Sequence, residues 1–119
     1  AVSIGVLCTA VELLARLIAR GVVPDTLTDQ TSAHDELIGY FPEGMSVLEA
    51  NVLREKNAEQ YKKLSLDTMA HHVKLMLELQ SRGAITFDYG NNLRARAEEN
   101  GLYPEFRRPH QRTDQCHLF

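Results

Sequence analysis

The feature that most constrains this chain is an abrupt change of hydrophobic period near its start. Val2-Ser3-Ile4-Gly5-Val6-Leu7 is a short apolar run. From Val11 to Arg20, by contrast, Leu13, Leu14, Leu17 and Ile18 recur three and four positions apart. The first pattern suits a buried strand of a parallel sheet, and the second suits an amphipathic helix. Gly21 then stops the helix, because glycine most easily adopts the left-handed conformation that comes after a helix end. Pro24 to Thr28 reads as a second strand, so strand, helix and strand together predict one right-handed crossover unit.

The rest of the chain continues the alternation. Gly39, Pro42 and Gly44 make a turn-rich connection, and Ser46 with Glu49 has the spacing of a capping box at the start of a short helix. Between Ala58 and Arg82, Leu66, Met69, Ala70, Val73, Met76, Leu77 and Gln80 keep to helical spacing, and Gly83 ends the segment. Ala84 to Phe87 reads as a further strand and Asn92 to Asn100 as a short helix closed by Gly101. The predicted class is α/β, with a small parallel sheet and flanking helices over residues 1–102. The tail, 103–119, holds Pro104, Pro109 and many charges without periodicity, and is expected to be poorly ordered.

Composition narrows the function classes. With 119 residues and 44% hydrophobic side chains the chain can bury a core as one domain or part of one. A net charge of −3 with both signs scattered gives no basic stripe, so nucleic acid is not an expected partner. No apolar run reaches the length of a membrane span and the first residues lack the pattern of a secretion signal, so a cytoplasmic protein with no membrane partner is expected. Cys8 and Cys116 lie near opposite ends and read as free thiols, with Cys8 a small core residue at a strand end.

Two polar clusters come directly after strand-like runs, where open α/β sheets place ligands. Gln30, Thr31, Ser32 and His34 offer an amide, two hydroxyls and an imidazole within five positions. The alternative is that Thr31 and Ser32 form a turn and cap the next segment, with Asp29 and Asp35 bonding nearby backbone amides. Residue types alone favour that alternative. In Phe87-Asp88-Tyr89-Gly90-Asn91-Asn92, Tyr89 could stack on a ring-containing ligand, while Gly90 and Asn91 tolerate positive φ and Asn91 or Asn92 could cap the next helix. No glycine-rich phosphate loop is present, since Gly5 is the only glycine before Gly21. His71 and His72 are adjacent on a helix, point in different directions and read as a surface or partly buried pair rather than metal ligands. His110, Cys116 and His117 match no closed zinc site, and no nucleophile can be assigned.

The run Thr28-Asp29-Gln30-Thr31-Ser32-Ala33-His34-Asp35, with Gly39-Tyr40 and Pro42 after it, closely resembles the urocanase family, and Phe87-Asp88-Tyr89-Gly90-Asn91-Asn92 resembles a second pattern of that family in the same order. Arg20-Gly21-Val22-Val23-Pro24-Asp25 is similar too. The resemblance runs from Ile4 to Gly101 and implies an incomplete Rossmann-like, NAD-binding domain. Urocanases add water to urocanate, giving imidazolonepropionate, with tightly bound NAD⁺ as electrophile. The resemblance implies cofactor contacts for Gln30, Thr31, Ser32, Ala33, His34, Tyr40, Phe41 and Tyr89, and for Ala10. It extends to Thr9, which stands where family members carry asparagine and keeps a hydroxyl without the amide's reach. Glu36 stands where proline is common. Urocanate would be met only with core regions outside this chain, and the complete enzyme is expected to be a homodimer. This chain alone is therefore expected to be inactive, with no catalytic residue of its own. A stand-alone nucleotide-binding or protein-interaction domain of the same fold is the competing expectation.

Overall fold

The computed structural model describes residues 1–102. The tail, with His110, Cys116 and His117, lies outside the described residues. Helix α1 spans Ala10–Ala19, strand β1 Thr26–Asp29, helices α2 and α3 Val47–Lys56 and Ala58–Ser81, strand β2 Ile85–Asp88, and helix α4 Leu93–Ala97. A wide last turn, Glu98–Leu102, ends the described chain.

Local signals set these boundaries. Thr9 and Ser46 each cap a helix reciprocally: the hydroxyl accepts the backbone N–H of Glu12 or Glu49, and that glutamate accepts the cap's own N–H. The bond from the Ser46 amide holds the Glu49 carboxyl below its ordinary range. At the far end of α3 the chain turns through Gly83 at φ +115°, a conformation that a side chain would oppose. Replacing Ser46 by alanine removes one half of a capping box and is expected to cost about 1 kcal/mol, read as a lower urea midpoint with an unchanged slope.

β1 and β2 form a two-stranded parallel sheet in the register Thr26 to Ile85 through Asp29 to Asp88. A parallel pair needs a long crossover. Here α2 and α3 supply it. α3 is the centre of the fold, packed against α1, α2, α4 and β2. Its Met69, Val73, Met76 and Leu79 are fully buried and meet Val11 and Leu14 of α1 and Leu93 and Ala97 of α4 in one core. Burying such side chains is worth about 1.5–3 kcal/mol each, which is why the 24-residue α3 organises the shorter helices around it.

The expected α/β class and flanking helices are present, but the expected first strand is not. Val2 to Leu7 forms no strand, and Val2, Ile4, Val6 and Leu7 are all exposed. Apolar character lets a run be buried but does not supply a neighbour. Among the described residues β1 pairs only with β2, and this run joins neither open edge of the pair and is covered by no layer. The crossover therefore runs from β1 to β2, not through α1. Cys8, expected in the core at that strand's end, is instead half-buried. The pair His71 and His72 divides more sharply than expected, with His71 half-exposed and His72 only 2% exposed.

Candidate functional site

A cavity of about 580 Å³ opens beside the carboxyl end of β1. Its walls come from four places: Leu7 to Glu12 at the start of α1; Thr31, Ser32, Gly39, Tyr40, Phe41 and Met45 from the connection after β1; Ser46 and Val47 at the start of α2; and Thr68 from α3. Two helix N-termini therefore face one space. In the first turn of α1 the capping box occupies the Thr9 and Glu12 amides, and Leu13 bonds the Thr9 carbonyl at 3.1 Å. The Ala10 and Val11 amides have no carbonyl one turn back to bond. α2 repeats the arrangement at Val47. Such ends favour anionic groups through oriented amides. Among the described residues no Lys or Arg lines the cavity, and Glu12 is its only carboxylate, so backbone dipoles would have to carry any anion binding.

The connection after β1 is folded by its own side chains. Asp29, 4% exposed, accepts the Thr31 amide through Oδ1 at 3.0 Å, and its Oδ2 takes a hydrogen bond from Asn91 Nδ2. Asn91 also donates to the Thr31 carbonyl at 2.8 Å, tying the loop after β2 to the loop after β1. Asp35 Oδ1 accepts the amides of Leu37 and Ile38, both at 2.9 Å, which holds its carboxyl below the usual carboxylate range. The two aspartates thus bond backbone amides, as expected for a turn. The hydroxyls behave differently. Thr31 Oγ1 is buried with no hydrogen-bond partner, in a residue whose other atoms line the cavity.

Tyr40 is held inward. Its hydroxyl lies 2.9 Å from His72 Nδ1, and its carbonyl accepts Tyr61 Oη at 2.9 Å. Burial pushes the Tyr40 phenol well above its ordinary range and pushes the His72 imidazole down, even though the Asp29 charge pulls His72 the other way. A protonated phenol and a neutral imidazole share this one hydrogen bond, whose direction follows the imidazole tautomer.

The structure brings together Thr9, Ala10, Thr31, Ser32, Tyr40 and Phe41 on this cavity. It leaves the other expected residues off the wall. Gln30 and His34 are exposed, and Ala33 is fully buried behind the loop. Tyr89 is 65% exposed and lies edge-on to Phe87 at 5.8 Å. In the second cluster Asn91 Oδ1 accepts the Leu93 amide at 3.2 Å, and positive φ falls on Gly90 and Asn92 rather than on Asn91. The loop after β2 therefore supports the cavity through Asn91 and does not line it.

Several lining residues carry weaker signals in the sequence. Thr9-x-x-Glu12 has the same capping spacing as Ser46-x-x-Glu49 and marks the start of α1. Gly39 touches the loop so closely that a Cβ there would lie 2.4 Å from the Ser32 carbonyl oxygen. Thr68 accepts the Glu43 amide at 3.1 Å while donating to the Leu64 carbonyl. Its signal is a polar row in α3, with Tyr61, Ser65, Thr68 and His72 at i, i+4, i+7 and i+11.

A parallel strand pair joined by a helical crossover, with a cavity at the loop that leaves the first strand, defines a Rossmann-like α/β domain. The model of the urocanase Rossmann-like domain matches residues 1–113, past the point at Gly101 where the recognised motifs end. The chain belongs to the urocanase family. No helix of the described residues is long and apolar enough to cross a membrane.

Proposed function

We propose that the cavity holds part of an NAD molecule and that the chain is an NAD-binding segment of a urocanate hydratase, the enzyme that adds water to urocanate. The observation that carries this reading is a cavity faced by two helix N-termini and lined by Thr31, whose hydroxyl is buried just behind the wall without a partner. A buried polar group left unpaired is costly, and a turn of the Thr31 side chain toward a ligand oxygen in the cavity would relieve that cost. Thr9, Thr31 and Ser32 would bond ribose or diphosphate oxygens, together with the first-turn amides of Ala10 and Val11. Tyr40 and Phe41 would pack against a ring.

Gln30, His34 and Tyr89 are exposed, so they would serve only a part of the cofactor that extends beyond the cavity. Ala33 would act by shaping the loop. When bound, NAD⁺ supplies the electrophile of the family's hydration chemistry. This chain's part is to bind and orient it. On its own the chain would not turn over urocanate, because it offers no glycine-rich phosphate loop and no assigned substrate-side group. Urocanate binding, a homodimer and a cytoplasmic setting belong to the same proposal for the complete enzyme.

Replacing Thr31 by valine tests the reading, because the new side chain matches the old in shape and removes only the hydroxyl. NAD⁺ affinity measured by calorimetry should fall by the worth of one neutral hydrogen bond, about 0.5–1.5 kcal/mol, or roughly twofold to twelvefold. Thermal stability without NAD⁺ should not fall, since the hydroxyl has no internal partner. Unchanged affinity with a lowered unfolding midpoint would reject the proposal.

A further inference from the structure

The connection between β1 and α2 builds much of the cavity wall without any regular helix or strand. A segment of that kind keeps one shape only where its polar groups find fixed partners. α3 supplies them from one buried face. Tyr61 Oη donates to the Tyr40 carbonyl, Thr68 Oγ1 accepts the Glu43 amide, and His72 Nδ1 lies within bonding distance of the Tyr40 hydroxyl. Tyr61 is held in turn by Arg54, whose Nη2 donates to its oxygen at 2.9 Å and whose guanidinium carbon lies 4.9 Å from the ring centroid. Beside this row, His71 Nδ1 donates to the Glu43 carboxylate at 2.8 Å, outside the buried stripe.

These contacts divide the labour within Tyr40. Its backbone is fixed by Tyr61 and its hydroxyl by His72, both from beneath the wall, so the hydroxyl is already engaged inside the protein. What Tyr40 can offer the cavity is the side of its ring. If the bond to His72 were lost, a hydroxyl on a residue only 7% exposed would be left without this partner. The ring would then gain by turning toward water, which would remove the wall.

We infer that His72 is a positioning residue for the cofactor cavity: by bonding the Tyr40 hydroxyl it fixes that ring in the wall, so that the site presents an aromatic surface and not a phenol hydroxyl to its ligand. The assignment rests on the reading of the cavity as an NAD site. It adds a residue that does not line the cavity and that acts only through Tyr40.

Three variants of the chain test this assignment, with NAD⁺ affinity read by calorimetry and loop order read by amide hydrogen exchange. His72→Leu removes the hydrogen-bond partner, His72→Asn keeps an amide that can donate or accept close to the place of Nδ1, and Tyr40→Phe keeps the ring and removes only the hydroxyl. In His72→Leu, exchange should quicken at Gly39, Phe41, Gly44 and Met45 while the α1 and α4 amides hold, and NAD⁺ affinity should fall about tenfold, within the range of coupling between touching residues. His72→Asn should restore both readouts, which a merely space-filling role would not do. In a Tyr40→Phe background, adding His72→Leu should cost no further affinity.

Faster exchange throughout His72→Leu would mean global destabilisation. The decision then passes to Tyr40→Phe, where loosening confined to residues 39–45 supports the role and unchanged exchange overturns it. Unchanged exchange and affinity in a folded His72→Leu would also overturn it, while leaving the cofactor reading intact. If the loop loosens as expected but the wild-type chain binds no NAD⁺, the positioning of Tyr40 stands and the cofactor reading falls.

Discussion

Replacing Asp29 by alanine is expected to lower the stability of the chain by about 3 kcal/mol, since hydrogen bonds to a charged group contribute roughly 1.5–3 kcal/mol each and here two are lost. The carboxylate sits at the carboxyl end of β1, 4% exposed, and serves two loops at once: Oδ1 holds the Thr31 amide and Oδ2 holds the Asn91 side chain. Alanine would leave both donors without these acceptors and would also free Asn91 to drift from the Thr31 carbonyl. The loops after the two parallel strands would then part. Urea unfolding of Asp29→Ala, set beside Asp29→Asn, checks the assignment. Asparagine keeps one acceptor oxygen and should recover part of the loss. An alanine variant as stable as the wild type would show that the loops are held by something else.

Gly39→Ala should cost about 2 kcal/mol or more, near the upper part of the range for forcing extra atoms into a packed site. The position does not depend on positive φ. It depends on space, because the added carbon would stand 2.4 Å from the Ser32 carbonyl oxygen and 2.9 Å from its Cβ, with the Asp35 carbonyl at 3.0 Å. Two of these three neighbours are backbone atoms, which a rotamer change cannot move. The loop must open, and the opening separates Ser32 from Tyr40 across the cavity wall. A lower unfolding midpoint together with weakened NAD⁺ binding is the expected result. A lower midpoint with full binding would mean that the loop's shape is not what the ligand needs.

The fold was legible in the sequence wherever its cause is local. α1 and α3 begin and end, and α2 begins, within a residue or two of the positions predicted, because a capping residue, a three-and-four spacing and a terminal glycine act over one turn. The short strands were also found, shifted by a residue or two, at Thr26–Asp29 and Ile85–Asp88. Val2 to Leu7 failed because a strand is a relation between segments. Its apolar residues meet the requirement for burial, but among the described residues it pairs with neither strand of the sheet.

The site was half legible for a related reason. Residue chemistry and family resemblance pointed to Gln30 through His34, but a tight turn, closed by the Ala33 amide on the Thr31 carbonyl at 2.9 Å, sends these side chains in different directions. Thr31 and Ser32 reach the cavity, Ala33 is buried behind it, and Gln30 and His34 face water. The role of His72 is hidden in the sequence because the apolar face of α3 dominates its pattern. The polar row Tyr61, Ser65, Thr68 and His72 runs along the same helix and is equally buried.

That this cavity receives NAD is tested most directly by observing the backbone amide resonances of the ¹⁵N-labelled chain as NAD⁺ is added. Saturable shifts are expected at Thr9 to Val11, Thr31, Ser32, Tyr40, Phe41, Ser46 and Val47, and smaller ones at Tyr89 and Gly90, which lie off the wall. No saturable shift, or shifts centred on Tyr89 to Asn92 with the first-turn amides of α1 and α2 unmoved, would contradict the cofactor reading.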